Sequence, residues 1–326
     1  MKTSVQSTRL WIIPSSVLLL VILISGCDQG IVQIDEENST LSQGGSEFSV
    51  SYVDGRLVFA DMEAFANFMD SLIHSEYTST KELGITDDFM SLYASTSKLE
   101  EEDYENSDAG YTATVGDFEI VEDPFFASVL NEFGEIQIGT SVFKYTRSYV
   151  YETSESNIEL LDNFPSRNSD QTAFYGKHDD VQGVKIHEIK RVHHHAADLA
   201  GKVMARGTRN RHFENKRRLL GDSWITDFHV YQSAGARSRS QRKKWIKWVS
   251  NTIEEVNLSA EYTLWTRFTS SPVSGTRVRE GRNVSEVSVV LFWDYGPSIF
   301  LSGTITTRHS GRRGNVEREC KSEAET

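Results

Sequence analysis

Val256–Phe268 reads VNLSAEYTLWTRF, with Val256, Leu258, Ala260, Tyr262, Leu264, Thr266 and Phe268 on every second position. A strand turns successive side chains to opposite faces, so this period predicts a long strand with one face on a core. The same period returns at Val287, Val289, Leu291 and Trp293, and again at Ile299, Leu301 and Ile305 with Gly303 between them. Upstream, Trp224, Thr226, Phe228 and Val230 make another such face. Ser270–Gly275, Gly281–Asn283 and Gly296-Pro297 are turn chemistry separating the runs. Together they predict an all-β, antiparallel, sandwich-like C-terminal domain over residues 181–314. Asn315–Thr326 is polar and reads as a disordered tail in which Cys320 is an incidental exposed thiol.

Two clusters in this half are candidates for chemistry. From Arg237 to Trp248 cations interleave with aromatic residues, and Arg239, Arg242, Lys243, Lys244, Trp245 and Trp248 form a candidate polyanion-binding surface. Guanidinium and ammonium groups meet phosphate or carboxylate, while indole sits at an interface or stacks on a sugar. A charged strand edge protected from aggregation accounts for the same residues, as does docking of the basic half on an acidic half of the chain. The second cluster is His193-His194-His195, with His187 and Asp198 nearby. On a strand His193 and His195 point to one side, and imidazoles with a carboxylate hold zinc, the basis for an alternative reading as a metal-dependent hydrolase. The spacing is not that of a helical His-Glu-x-x-His, and a polar, solvated histidine run is the preferred reading. The chain has neither a Gly-x-Ser-x-Gly elbow nor a phosphate-cradling glycine loop, so no residue takes a catalytic role from a motif. Binding or scaffolding is therefore preferred to catalysis.

From Tyr151 to about Asp180 periodicity is lost, and Asn163–Asp170 is turn chemistry, which places a domain boundary after residue 165. Before it, residues 48–165 predict an α+β domain. Phe48–Val53 and Arg56–Phe59 flank Asp54-Gly55, a pair suited to a type I′ hairpin turn. Asp61 caps a helix with Met62, Phe65, Met69, Leu72 and Ile73 at helical spacing. The charge run Leu99–Asp108 lacks the alternating Asp/Asn and Gly of a calcium loop and reads as a solvated loop. Asp123 is an N-cap with Pro124 at the first helical position; Glu135–Ile138 and Ser141–Arg147 are strands about the turn pair Gly139-Thr140.

The string DPFFASVLNEFGEIQIGTSVFKYT (residues 123–146) resembles a segment of uncharacterised envelope lipoproteins of Bacteroidota-like bacteria. The LVF strand and helix within Leu57–Ile73, and the stretch Phe89-Met90-Ser91-Leu92, share that resemblance over roughly residues 50 to 150. YQSAGARSRSQRKKWIKW (231–248) and Thr307–Ser310 resemble the second half of such proteins. The resemblance implies a domain of unknown function and an address, and no reaction.

The N-terminus supports that address. Lys2 and Arg9 precede an apolar run from Leu10 to Gly26, and Ile24-Ser25-Gly26-Cys27 closes it with small residues, the layout of an export signal. Pro14, Ser15 and Ser16 leave fewer than the ~20 apolar residues of a membrane span. The closing residues resemble a bacterial lipobox. That resemblance implies removal of residues 1–26 and a Cys27 bearing covalent diacylglycerol and acyl lipid, which hold an exported protein on an envelope membrane. No other cofactor is expected. Residues 27–47, acidic and poor in large apolar groups, then read as a flexible tether.

Net charge is −13, but residues 28–190 carry 33 acids against 9 bases, and residues 191–326 carry 14 against 23. Such a division speaks to partners rather than to fold. The partners it suggests are the membrane through the lipid, and an anionic envelope polymer or a protein; no specific nucleic acid is predicted.

Overall fold

The structure, a computed structural model, describes residues 42–43, 46–47, 50–75, 89–96, 120–164, 183–193, 210–214, 216–244, 247–266, 271–296 and 302–326. The export signal, Cys27 and the charge run 99–108 lie outside the described residues. Ser42–Gln43 (β1) and Ser46–Glu47 (β2) form a short antiparallel ladder. Asp54 and Gly55 then take φ of 47° and 80°, the backbone that a two-residue primed turn requires. They join β3 (Val50–Val53) to β4 (Arg56–Phe59).

Helix α1 (Met62–His74) starts where the sequence places it: the Asp61 carboxylate accepts from the Ala64 N–H at 2.8 Å, and Phe65, Phe68, Met69 and Leu72 are buried. Helix α2 (Pro124–Val129) is capped by Asp123, whose Oδ1 accepts from the N–H groups of Phe125 and Phe126 at 2.9 and 3.2 Å. The two helices lie on the path from β4 to β5 (Glu135–Ile138), which pair in parallel, as a crossover of that length permits. β6 (Ser141–Tyr145), β7 (Tyr149–Ser154) and β8 (Val184–Glu188) complete a six-stranded sheet in the order β3-β4-β5-β6-β7-β8. A 3₁₀ segment, Glu155–Asn163, brings Leu161 onto the outer face of that sheet, where it packs with Val142, Tyr151, Phe164 and Val184. The last strand lies beyond the expected boundary at 165, because Val184 is needed to close this cluster.

A second sheet contains β9 (Lys190–His193), β10 (Asn210–Glu214), β11 (Arg217–Asp227), β12 (Tyr231–Lys244), β13 (Lys247–Ser250) and, after the 13-residue β14 (Ile253–Trp265) and β15 (Val273–Val284), the strand β16 (Glu286–Tyr295). β14 and β15 pair with β17 (Ser302–Arg313) and β18 (Val316–Glu325) in a third sheet ordered β15-β14-β17-β18. All pairings in these two sheets are antiparallel. Strand β14 carries the alternation predicted for it, with Val256, Leu258, Ala260 and Leu264 buried against Ile225, Ala234, Ala236 and Val287 of the second sheet.

Cross-strand partners share a face, so the register of the second sheet sorts its residues. Leu219, Gly221, Ile225, Ala234, Ala236 and Ser238 look to the third sheet. Asp222, Trp224, Thr226, Tyr231, Ser233, Arg237 and Arg239 look the other way, toward the helices and the first sheet. The second sheet is thus a middle layer, covered on both faces. Small residues allow that closeness: a Cβ on Gly221 would stand 2.2 Å from the His309 ring, and one on Gly235 would stand 2.3 Å from the Trp224 indole.

One core runs from the first half of the sequence into the second. Phe126 stacks on Tyr231 with ring centroids 4.7 Å apart, Tyr145 meets Phe126 edge to face at 5.1 Å, and Phe228 lies 5.2 Å from Phe126. Fully burying such a ring contributes about 1.5–3 kcal/mol. The Tyr231 hydroxyl donates to Asp123 Oδ2 at 2.7 Å, so the cap of α2 is completed from β12. Arg191 forms an ion pair with Glu122 at 3.0 Å, and its guanidinium donates to the carbonyls of Ile120 and Arg147. Residues 32–326 accordingly cluster as one unit, and the expected boundary does not separate two cores.

Two further expectations are corrected. Residues 316–325 are strand β18, not a tail: Cys320, Ser322 and Ala324 alternate inward on β17, and Cys320 is buried. Gly275, Gly281, Arg282 and Asn283, read as turn chemistry, lie within β15, where a Cβ on Gly281 would collide with Val284 and Val287.

Candidate functional site

The basic cluster is divided by the sheet that contains it. Arg239 points into the molecule, where its Nη2 sits 2.8 Å from Asp222 Oδ2, and Arg237 reaches the same oxygen at 3.9 Å. Both arginines and the aspartate are at most 5% exposed, so Arg239 does not belong to a binding surface. The physical reason is the register: Asp222 lies directly opposite Arg237 and two residues from the partner of Arg239 on the same face. On that face Tyr93 donates to Glu286 Oε1 at 3.2 Å, and burial together with the Glu286 charge pushes its phenol far above the usual range.

Arg242 and Lys243 are exposed at the end of β12. Arg242 pairs with Arg217 and with Val249, and Lys243 pairs with Trp248. Arg218 holds its guanidinium carbon 4.2 Å from the Trp248 ring centroid, while its Nε donates to Gln241 Oε1 at 2.9 Å. A guanidinium held over an indole face is fixed in place by the cation–π attraction. With Lys216 at φ +69°, these residues form a basic rim around one end of the sheet. Arg217 and Arg218 are not among the sequence candidates because they lie on another strand, 24 to 26 residues before Arg242 and Lys243. The side chain of Lys244, and Trp245 entirely, lie outside the described residues.

The histidines are redistributed too. His193 ends β9 opposite Trp224, its side chain beyond description, and His194, His195 and Asp198 lie outside the described residues. His187 instead meets Glu152 and His229. Glu152 lies on β7 and His187 on β8, on the same face as Phe143 and Tyr145, and His229 reaches that face from the β11–β12 turn. His187 Nε2 is 2.9 Å and His229 Nε2 4.0 Å from Glu152 Oε2. The two imidazoles stack with centroids 3.5 Å apart and planes 12° apart. Burial is the main cause that brings His229 down to about 4, with the neighbouring His187 charge adding to it. Burial works to raise the Glu152 carboxyl, but hydrogen bonds from Lys185 and His187 outweigh it and hold the group below its usual range. At neutral pH the site therefore presents a free imidazole beside a carboxylate. Nothing in the local sequence marks Glu152 or His229; only the β7–β8 register and the placing of one hairpin bring them to His187.

Among the described residues no helix is long and apolar enough to cross a membrane. No protein-family model matches the chain, and no curated protein matches it. Among solved structures, a DUF4848 family protein from Bacteroides thetaiotaomicron is similar, at 11% identity over 83% of this chain and 98% of its own, with a TM-score of 0.24.

Proposed function

We propose that the chain is an exported envelope lipoprotein, acylated at Cys27, whose folded part is a binding module for an anionic glycan or lipid headgroup rather than an enzyme. In this reading an acidic α+β portion and a basic sandwich share one core, and the tether holds them off the bilayer. The observation that carries the binding role is the basic rim: Arg217, Arg218, Arg242 and Lys243 gathered at one sheet end, with Arg218 laid over Trp248. Each cation near an anionic surface is worth about 1 kcal/mol; Arg217 and Arg242 lie on one face of the sheet end and Arg218 and Lys243 on the other, so a ligand that wraps the end meets both pairs.

The test compares the full chain with an Arg242→Glu/Lys243→Glu variant on two probes across a salt series: immobilised anionic glycans, and vesicles with or without anionic lipid. Saturable binding to one probe, weakened by salt and cut roughly tenfold or more by the reversal, is the expected result. Equal binding by both proteins returns the rim to edge protection. The address has its own test: Cys27→Ser should leave the chain unprocessed and without acyl mass, and an unchanged mass spectrum of the mature protein would refute lipidation at that position.

A further inference from the structure

The three donors beneath the β11–β12 turn come from three separate elements, and their ligand atoms all lie within 4.8 Å of one another. We propose that Glu152, His187 and His229 form a transition-metal site of the zinc class that fastens the β11–β12 hairpin to the first sheet. Two imidazole nitrogens and one carboxylate oxygen are a donor set that zinc accepts with a fourth position left open. The geometry is near what the ion needs: ligands about 2.0–2.1 Å from a tetrahedral centre stand roughly 3.3 Å apart. The two separations from Glu152 Oε2, 2.9 and 4.0 Å, bracket that value, and seating an ion would tilt the two stacked rings apart so that their lone pairs converge on it.

Three details favour an ion over a plain hydrogen-bonded pair. His229 adopts φ +73°, uncommon outside glycine, and is held there by its own N–H donating to Asp227 Oδ1 at 2.9 Å. The backbone is thus shaped to aim this side chain at the first sheet. The remaining carboxylate oxygen, Glu152 Oε1, is taken by Lys185 at 3.0 Å, which orients the group and leaves Oε2 toward the histidines. On the inner side the Tyr145 hydroxyl is fully buried without a hydrogen-bond partner. This ligand set shares only His187 with the one the sequence suggests.

The experiment titrates the full chain with Zn2+ by calorimetry and with Co2+ by visible absorption. Because the His193-His194-His195 tract is an independent source of binding, His193→Ala/His194→Ala/His195→Ala serves as the background. In it, one equivalent of metal and the Co2+ bands should persist. His187→Ala or His229→Asn added to that background should weaken binding by more than the roughly 10- to 100-fold that loss of an outer-shell partner costs. Asn tolerates the left-handed backbone, so His229→Asn should keep the metal-free urea midpoint, and His187→Ala decides the matter should that midpoint fall. No stoichiometric metal in the tract-free background, or binding unaffected by both substitutions, overturns the proposal.

Discussion

Asp222→Ala is the sharpest test of the middle layer. Asp222 is 3% exposed, with Arg239 at 2.8 Å and Arg237 at 3.9 Å from the same carboxylate oxygen. Removing one partner of a buried ion pair costs about 3–5 kcal/mol, because a desolvated charge is left behind. Here two guanidiniums lose the carboxylate together, so the upper part of that range is expected. Arg239→Ala should fall in the same range from the other side, leaving Asp222 with Arg237 at a longer distance and losing the packed stem of Arg239. Arg242→Ala and Lys243→Ala, three and four residues along the same strand but exposed, should each stay within about 0.5 kcal/mol. Urea denaturation followed by tryptophan fluorescence reads all four, and an unchanged m-value would show that only stability has moved. If Arg239→Ala and Arg242→Ala cost the same, and both less than about 0.5 kcal/mol, then Arg239 is a surface residue and the second sheet is not covered on both faces.

Other residues give independent checks. His309 is fully buried among Ser238, Thr307 and Ser322, and burial lowers it to about 4 despite the opposing pull of Asp222. A depressed folded value means that stability is complete above the unfolded value near 6.5 and is lost as pH falls toward 4. The loss is on the order of 3 kcal/mol, and a His309→Gln variant should show a flatter urea midpoint between pH 7.5 and 4.5 if this holds. Gly235→Ala would place its Cβ 2.6 Å from the Val289 carbonyl oxygen, which cannot rotate away, so it should cost at least about 1–3 kcal/mol and alter the near-ultraviolet signal of Trp224. Cys320, buried on β18, should resist a thiol reagent in the native protein and react fully in urea; rapid native labelling would restore the tail.

What was legible in the sequence is what is decided within one turn of chain. Asp54-Gly55, Asp61 and Asp123-Pro124 each act on backbone a few residues away, and the structure uses them as turn and caps. β14 was legible because only one of its faces is deeply buried, which leaves an alternation to read. β11 and β12 are buried on both faces, so there is no alternation between apolar and polar, and the space between layers is filled by Ser, Gly and Ala. A strand reading YQSAGARSRSQ therefore looks like surface while lying at the centre. β18 escaped notice for a related reason: its inward residues are Cys320, Ser322 and Ala324, too small and polar to mark a core face.

The layering bears on how the charges of the two halves are placed. Among the described residues, Arg191 and His229 cross to Glu122 and Glu152 in the first half, whereas Arg237 and Arg239 meet Asp222, and Arg312 meets Glu255, on a neighbouring strand. The only charges of the Arg237–Trp248 cluster placed at the surface by the described side chains are Arg242 and Lys243. Counting cations along a strand overstates the surface charge wherever that strand passes through a core, since alternate residues face a layer that must neutralise them. The rim regains strength from Arg217 and Arg218, which the ladder adds from β11. Its binding should therefore depend on Arg218 as strongly as on Lys243, although only the latter stands in the sequence cluster, and Arg218→Ala should weaken polyanion binding while leaving the Asp222 network intact.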